Sequence, residues 1–435
     1  MQIEKAIGSS CWMTWLAVSF LVVSPGALAD DTKGQNLEER FRLMQENFEK
    51  RISSLEAENA RLRNQKHQDW VKKRESEEFR AMIDDVLAAA AGRASGLGRM
   101  NMLLADGVEV GYQKGAFIRT QDGDHELHIR FLFQPRFQLV DWIGGPTENT
   151  FSVRHAQIRM FGHILDPRLK YKIMVDHNDR SLKDAWVDFH WTDCFKIRAG
   201  QFLVFFDHEN IAPTWGLHLV DRSIINSVLG FERDTGVQVH GNLCDDRVQY
   251  YVFVVNGEGR NKDNVGNELM YGARVDVHLL GNQQYLVADV PTSDQPQLAW
   301  GTAVIHDANN AMAGGARVNR LTTDVTFRYK GYSVLMLVNC ARNSDNNETD
   351  TGYLAEVGCF IVPQRVELVG RWADIVRDGA LGVGMADPRE VTVGVNLYFN
   401  GHQAKLQIDY SRLWNDKSVE GRDAHRIRGQ VQLFF

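Results

Sequence analysis

Apolar and polar residues alternate with a period of two from about Asp124 to the carboxyl terminus. Residues 169–175 and 391–399 show the pattern plainly, and turn pairs such as Asn400-Gly401 separate such runs. Because successive side chains of a β-strand point to opposite faces, each run predicts a strand with one apolar and one polar face. We count about sixteen runs of roughly ten residues, which is the length of a strand that crosses a membrane.

A helical pattern precedes the strands. Apolar residues from Leu37 to Leu62 are three or four positions apart, and Leu55, Asn59 and Leu62 fit a coiled-coil seam with a polar register-setting position. Because so narrow an apolar stripe needs partner helices, the pattern predicts a periplasmic coiled-coil helix over residues 30–91, followed by a linker over residues 92–123. The alternative is a single solvated helix that lies on the rest of the protein.

The first 29 residues have the pattern of an export signal. Lys5 precedes an apolar stretch from Cys11 to Val23, and Ala27-Leu28-Ala29 forms a small-x-small cleavage site. The alternative, a membrane anchor, is disfavoured because the stretch is too short for roughly 30 Å of hydrocarbon. We therefore predict a cleaved signal peptide over residues 1–29.

Two all-β architectures fit the alternation. A soluble sandwich buries its apolar faces, whereas a membrane barrel turns them to lipid and its polar faces to a wet lumen. The export signal, the aromatic residues near strand ends and the final alternating run that ends at Phe435 favour the barrel. The predicted fold class is all-β, an antiparallel transmembrane barrel of about sixteen strands over residues 124–435, preceded by the α-helical coiled coil.

Composition excludes several classes of function. The chain has 435 residues, of which 44% are hydrophobic, so it is too apolar for a disordered protein. Its net charge of −7 argues against a nucleic-acid binder. The HExxH and GxSxG motifs and paired metal-ligand spacings do not occur in the sequence, so we predict neither an enzyme nor a metal or cofactor site.

Several short motifs then follow one another in order. They are RHAQI at residues 154–158 followed by Gly162, RAGQF at 198–202, DRS at 221–223, RDTGV at 233–237, VGVNLYFNGH at 393–402 with KLQIDY at 405–410, and QVQLFF at 430–435. Together these segments resemble the phosphate-selective porin O and P family of Gram-negative outer membranes, over about residues 111–435. The resemblance implies a sixteen-stranded barrel, a trimer, and a third loop that folds inward and narrows the pore.

The polar face of the early strands is basic if their apolar residues point outward. Cations on neighbouring strands would form a positive strip that attracts anions despite the net charge, and arginine suits phosphate or carboxylate. The alternative is that these charges pair with lumenal acids and brace the wall. The candidate residues of the anion path are Arg130, Arg136, Arg159, Lys170, Lys172, Lys196, Arg198 and Arg274.

The constriction loop, placed near residues 203–230, opposes this strip. It contains Asp207, Glu209, Asp221 and Arg222 and has no lysine, so it is slightly acidic. We therefore predict an outer-membrane porin, a passive diffusion channel for small solutes and ions with a weak anion or phosphate preference. Its predicted partners are outer-membrane lipid, two further copies of this chain in a homotrimer, and small anions or other solutes in transit. The alternative function is a structural outer-membrane anchor whose coiled coil tethers the membrane to the cell wall.

Overall fold

The computed structural model describes residues 102–104, 107–178, 180–281, 285–310, 313–382, 387–415 and 423–435. The predicted signal peptide and coiled coil lie outside these residues. Among the described residues, no helix is long and apolar enough to cross a membrane.

Sixteen antiparallel strands close into a barrel, as the alternation predicted. Each strand pairs with the next along the chain, and the last pairs with the first, so every edge of the barrel is covered. The barrel strands are β4 (Glu126–Trp142), β5 (Thr147–Ile164), β6 (Asp166–Asp176), β7 (Ser181–Thr192), β8 (Phe195–Leu203), β9 (Arg233–Leu243), β10 (Val248–Val255), β11 (Met270–Leu280), β12 (Gln297–Asn310), β13 (Ala316–Tyr329), β14 (Tyr332–Asn343), β15 (Thr349–Val362), β16 (Val366–Val376), β17 (Pro388–Asn400), β18 (Ala404–Asn415) and β19 (Ala424–Phe434).

Three short strands precede the barrel, where the sequence had predicted a linker. They are β1 (Met102–Leu104), β2 (Val108–Tyr112) and β3 (Ala116–Thr120), and they pair in order. β3 then pairs with residues 126–129 of β4. Because β19 reaches only as far as Leu132 of β4, this end of β4 would otherwise expose an open edge. The linker prediction for residues 92–123 is therefore corrected for its second half.

The burial pattern is inverted relative to that of a soluble protein. In β13, Leu321 and Val325 are exposed on the outside, whereas Arg320, Asp324 and Thr326 are buried on the inside. An apolar outer surface with a polar interior is what a barrel needs in lipid. The interior charges must consequently find partners inside the barrel.

The connection between β8 and β9, residues 204–232, folds into the interior and is called the constriction loop below. It contains α1 (His208–Ile211), a single 3₁₀ turn at Thr214–Gly216, and α2 (Ile224–Val228), which lies against β15, β16 and β17. Asp207 caps α1 by accepting the Asn210 N–H at 2.7 Å. The observed limits agree with the predicted loop near residues 203–230.

A second segment folds inward from the opposite end of the barrel, where the other connections are tight turns. It joins β11 to β12, and its described residues 285–296 are called the inner turn. Val287 of this turn is buried in one apolar cluster with Ala212 and Leu217 of the constriction loop. The interior is therefore narrowed from both ends. The alternation of the sequence does not predict the narrowing by the inner turn.

The contact between β4 and β5 generates a stability prediction. A Cβ added at Gly162 would overlap the backbone carbonyl of Glu126 on β4, whereas a Cβ added at Gly429 of β19 meets nothing within 4 Å. We expect Gly162→Ala to lower the free energy of unfolding by roughly 1–3 kcal/mol, because backbone must move apart. Gly429→Ala is the matched control and should stay near the wild type. The stability of both variants is measured as the temperature above which the protein no longer migrates as the compact folded barrel in SDS gel electrophoresis. Equal stabilities of the two variants would contradict the prediction.

Candidate functional site

Asp221 at the tip of the constriction loop holds three arginines of the wall. Its carboxylate accepts bonds from Arg136 on β4 at 2.7 Å, Arg154 on β5 at 2.8 Å and Arg428 on β19 at 3.0 Å. Burial alone would raise the pKa of Asp221, but the three positive charges outweigh burial and hold the pKa well below its usual value. Asp221 is therefore ionised, and its charge is used in docking the loop.

Arg154 reaches this carboxylate because of a β-bulge. Gln134 pairs with His155 and Pro135 pairs with Val153, so Arg154 is an extra residue on β5. A bulge re-aims a side chain, and Pro135 lacks the N–H that a regular ladder would use. Strict alternation had placed His155 on the lumenal face and Arg154 on the outer one, which is why the sequence analysis missed Arg154.

Two other acids of the loop, Asp207 and Glu209, are also buried and hydrogen-bonded. Asp207 accepts the Asn339 amide of β14 at 2.7 Å, and Glu209 accepts the backbone N–H and the hydroxyl of Ser223 at 2.5 and 2.6 Å. Both side chains are buried, with 1% and 2% of their surface exposed. Burial raises the pKa of Glu209 to about 7, although nearby Arg371 acts in the opposite direction. The loop acids that were predicted to counteract the basic wall are thus largely buried and bonded to other groups of the protein.

His218 fastens the middle of the loop to two acids of the wall. Its Nδ1 lies 2.9 Å from Glu356 of β15 and its Nε2 lies 3.2 Å from Glu367 of β16. Burial would lower the pKa of His218, but the two carboxylates raise it to about 9. The imidazolium is consequently an ion-pair partner at neutral pH.

Arg222 lies within the loop and bonds only to neutral groups among the described residues. Its guanidinium donates to the carbonyl oxygens of Glu209 at 2.8 Å and Ala212 at 2.6 Å. Burial lowers the pKa of Arg222, yet an arginine stays charged. Its positive charge is therefore not cancelled by a bonded carboxylate.

Arg274 does not belong to the open path that the sequence predicted for it. Its guanidinium bonds to Asp276 at 2.5 Å and Asp324 at 2.8 Å, and also to the carbonyl of Phe206 at the base of the loop. The residue is only 1% exposed. Sequence alternation placed Arg274 correctly on the inner face, but two bonded acids and the loop cover it.

The open space lies on the side of β5 to β9. One cavity of about 360 Å³ lies between the constriction loop and the inner turn, and a second of about 420 Å³ adjoins it. Both are lined by Arg222 and Arg233, so they meet at these two side chains. Together nine cations line them against three acids. The cations are Arg154, Arg159, Lys172, Lys183, Arg198, Arg222, Arg233, Arg260 and Arg426, and the acids are Asp184, Asp221 and Glu232.

The predicted anion-path residues divide into three groups. Arg159, Lys172 and Arg198 line the first cavity. Arg136 is bound to Asp221, and Arg274 is buried as described. Arg130, Lys170 and Lys196 line neither cavity; Arg130 lies over the Phe161 ring at 5.1 Å, Lys170 is exposed and Lys196 is half-buried.

Lys183 is a second basic residue that strict alternation misplaces. Met174 pairs with Asp184 and Val175 pairs with Leu182, so Lys183 is the extra residue of another bulge. Both Lys183 and Asp184 are consequently buried inside the barrel. Two further cavity-lining arginines were not predicted: Arg233 is the first residue of β9, and Arg260 lies in the loop after β10, where alternation carries little information.

A closed barrel of sixteen strands with an inward-folded third loop is the fold of outer-membrane porins. The family model for phosphate-selective porin O and P matches residues 143–320, which run from the loop before β5 into β13 and include the constriction loop. The resemblance predicted from the sequence motifs is thereby confirmed.

Solved porin structures share the fold at low sequence identity. The anion-selective porin from Comamonas acidovorans is 11% identical, with a TM-score of 0.52 over 71% of this chain and 99% of its own. The OmpF complex with daunomycin from Salmonella typhi is 12% identical, with a TM-score of 0.52 over 75% and 100%. The channel DcaP of Acinetobacter baumannii is 10% identical, with a TM-score of 0.50 over 71% and 97%. No curated protein sequence matches the chain.

The first site prediction concerns Asp221. We expect Asp221→Asn to destabilise the protein by roughly 1–3 kcal/mol, because three arginines lose a charged partner that is partly exposed. The loosened loop should also make the open-channel current noisier in planar bilayers. Asp345→Asn is the control, because Asp345 pairs with Arg317 at 3.0 Å on the exposed outer surface. Equal noise and stability in the two variants would contradict the anchoring role.

The second site prediction concerns pH. The folded pKa of His218, about 9, lies above its unfolded value of about 6.5, so its contribution is complete below pH 6.5 and is lost as the pH rises through 9. The thermal stability of the wild type should therefore exceed that of His218→Gln at pH 6 by more than at pH 9.5. Melting curves of both proteins across this range measure the difference. A difference that stays constant with pH would exclude the ion pair.

Proposed function

We propose that the protein is an outer-membrane diffusion channel that prefers small anions. Porin-family sequence and porin fold support a channel. The observation that supports the anion preference is the pair of adjoining cavities, lined by nine cations and three acids. Fields from charges of one sign add in a narrow lumen with a low-dielectric wall.

The position of the constriction loop strengthens this proposal. The loop docks on the wall from β11 round to β19 and on to β4 and the bulge of β5, where its acids meet Asn339, Arg371 and the arginines around Asp221. The rest of the side from β5 to β9 lines the open cavity with Arg159, Lys172 and Arg198. An anion would therefore pass along the basic wall, while the acids that would attract a cation are already occupied.

Arg159 is the residue of this wall that we expect to matter most. It makes no ion pair among the described residues, and its guanidinium donates two bonds to the neutral Gln157 Oε1, at 2.6 and 3.2 Å. Lys172 and Arg198, in contrast, pair with Asp184 at 2.6 Å and Asp188 at 2.7 Å. No bonded carboxylate therefore competes with a passing anion for the Arg159 guanidinium among the described residues.

Reversal potentials in a KCl gradient test the proposal. The wild type should favour chloride, more strongly at low salt because screening is weaker. Arg159→Gln should lower the chloride-to-potassium permeability ratio about sevenfold, because loss of one positive charge at ~7 Å in a water-like medium disfavours the anion and favours the cation by about 0.6 kcal/mol each. Arg317→Gln is the control, since Arg317 lies on the exposed outer surface, and should keep the wild-type ratio. Potassium selectivity of the wild type would overturn the proposal.

The trimer and the cell-wall tether stay predictions. The trimer is proposed from the family resemblance, and monomers in detergent by analytical ultracentrifugation at micromolar protein would contradict it. The alternative function, a structural anchor, depends on the coiled coil over residues 30–91, which lies outside the described residues. Deleting residues 31–90 separates the functions, because a channel should keep conducting while a tether should lose envelope integrity.

A further inference from the structure

We infer that the cavity between the constriction loop and the inner turn is a binding subsite for aromatic carboxylates. The inference rests on the proposed function, because the ligand would reach the subsite through the channel. It is carried by a combination that the neighbouring cavity lacks: unpaired positive charge on one side and aromatic rings on the other. The subsite is the cavity of about 360 Å³, which is large enough for a one-ring acid.

The charged side consists of Arg159 and Arg222. Among the described residues neither guanidinium bonds to a carboxylate, since Arg159 donates to Gln157 and Arg222 donates to backbone carbonyls. The remaining cations of the cavity each bond to an acid: Lys172 and Arg233 share Asp184, at 2.6 and 3.0 Å, and Arg198 pairs with Asp188 at 2.7 Å. An anion in this cavity would therefore meet two positive charges that no bonded acid cancels.

The apolar side consists of Trp186, Phe205, Trp215 and Tyr285, all of which line the cavity. Neighbours hold their rings in place: Phe205 stacks on Tyr251 with centroids 4.1 Å apart, and the Tyr285 hydroxyl bonds to Asp276 at 2.6 Å. A rigid aromatic wall costs little entropy when a flat ligand binds.

Trp186 joins the two sides of the subsite. The Arg198 guanidinium lies 4.3 Å from the centre of its ring. The aromatic side and the basic side of the subsite are thus in direct contact at Trp186 and Arg198.

The second cavity provides the contrast. It is lined by more charged groups, but Phe231 is its only phenylalanine, tyrosine or tryptophan among the described residues. A small hydrated anion gains attraction from both cavities and nothing from aromatic rings. An aromatic carboxylate gains the same attraction, and in the first cavity also buries its ring against the four side chains. The geometry therefore favours the amphipathic anion over the simple one.

The test uses the full protein in planar bilayers at 0.1 M KCl with three probes. Benzoate carries ring and charge, acetate carries the charge alone, and benzamide carries the ring alone. We expect benzoate to half-block the chloride current at a concentration about tenfold below that of acetate, and benzamide to leave the current unchanged. Equal block by benzoate and acetate, or block by benzamide, would overturn the inference.

Two variants locate the effect. Phe205→Leu should narrow the benzoate-to-acetate difference by roughly three- to tenfold, because one aromatic contact is lost. Phe360→Leu is the matched control, because Phe360 lines neither cavity and packs against Tyr398 with centroids 5.4 Å apart. The same loss of discrimination in both variants would contradict the assignment to this cavity.

The probe series also separates this inference from the proposed function. A wild type that selects chloride in a KCl gradient but treats benzoate and acetate alike keeps the channel proposal and removes the subsite. A wild type that selects potassium removes both. Because the probe series needs only the wild type, it decides the inference even if a variant fails to fold.

Discussion

The ion cluster around Asp221 is the interaction on which the interior arrangement depends. One carboxylate of the constriction loop meets Arg136, Arg154 and Arg428 from three strands. Three arginines this close repel one another, and the shared acid offsets that repulsion, with Arg428 also bonded to Asp409 at 2.7 Å. The negative charge of Asp221 therefore fixes the position of the loop against the wall. The same charge reduces the repulsion among the three wall arginines.

The pairing of interior charges with the loop also explains why one side of the lumen is more basic than the other. On the side of β11 to β19, several interior charges bond to the loop or to each other, as Arg320 does to the carbonyl of Leu229 and Arg274 does to Asp276 and Asp324. On the side of β5 to β9 the loop makes few such contacts, and Arg159 keeps its charge without an acid among the described residues. A chain with a net charge of −7 thus has a basic open face.

The sequence predicted the barrel and some of the residues that line the cavities, and physical reasons explain which residues it missed. Alternation is a local signal, so it placed all sixteen strands and put Arg159, Lys172 and Arg198, which line the first cavity, on the inner face. It could not find Arg154 and Lys183, because each bulge shifts the phase by one residue. It could not predict that Asp207 and Glu209 are buried either, since their partners lie far away in sequence or inside the folded loop.

The position of Asp221 also links two steps of assembly. Arg136 belongs to the first barrel strand and Arg428 to the last, and these strands form the seam at which the cylinder closes. A carboxylate that bonds to both spans the seam from within. Docking of the loop and pairing of the first and last barrel strands are therefore thermodynamically coupled, so that each stabilises the other by the same free energy. The constriction loop, which narrows the channel, therefore also stabilises the closure of the barrel.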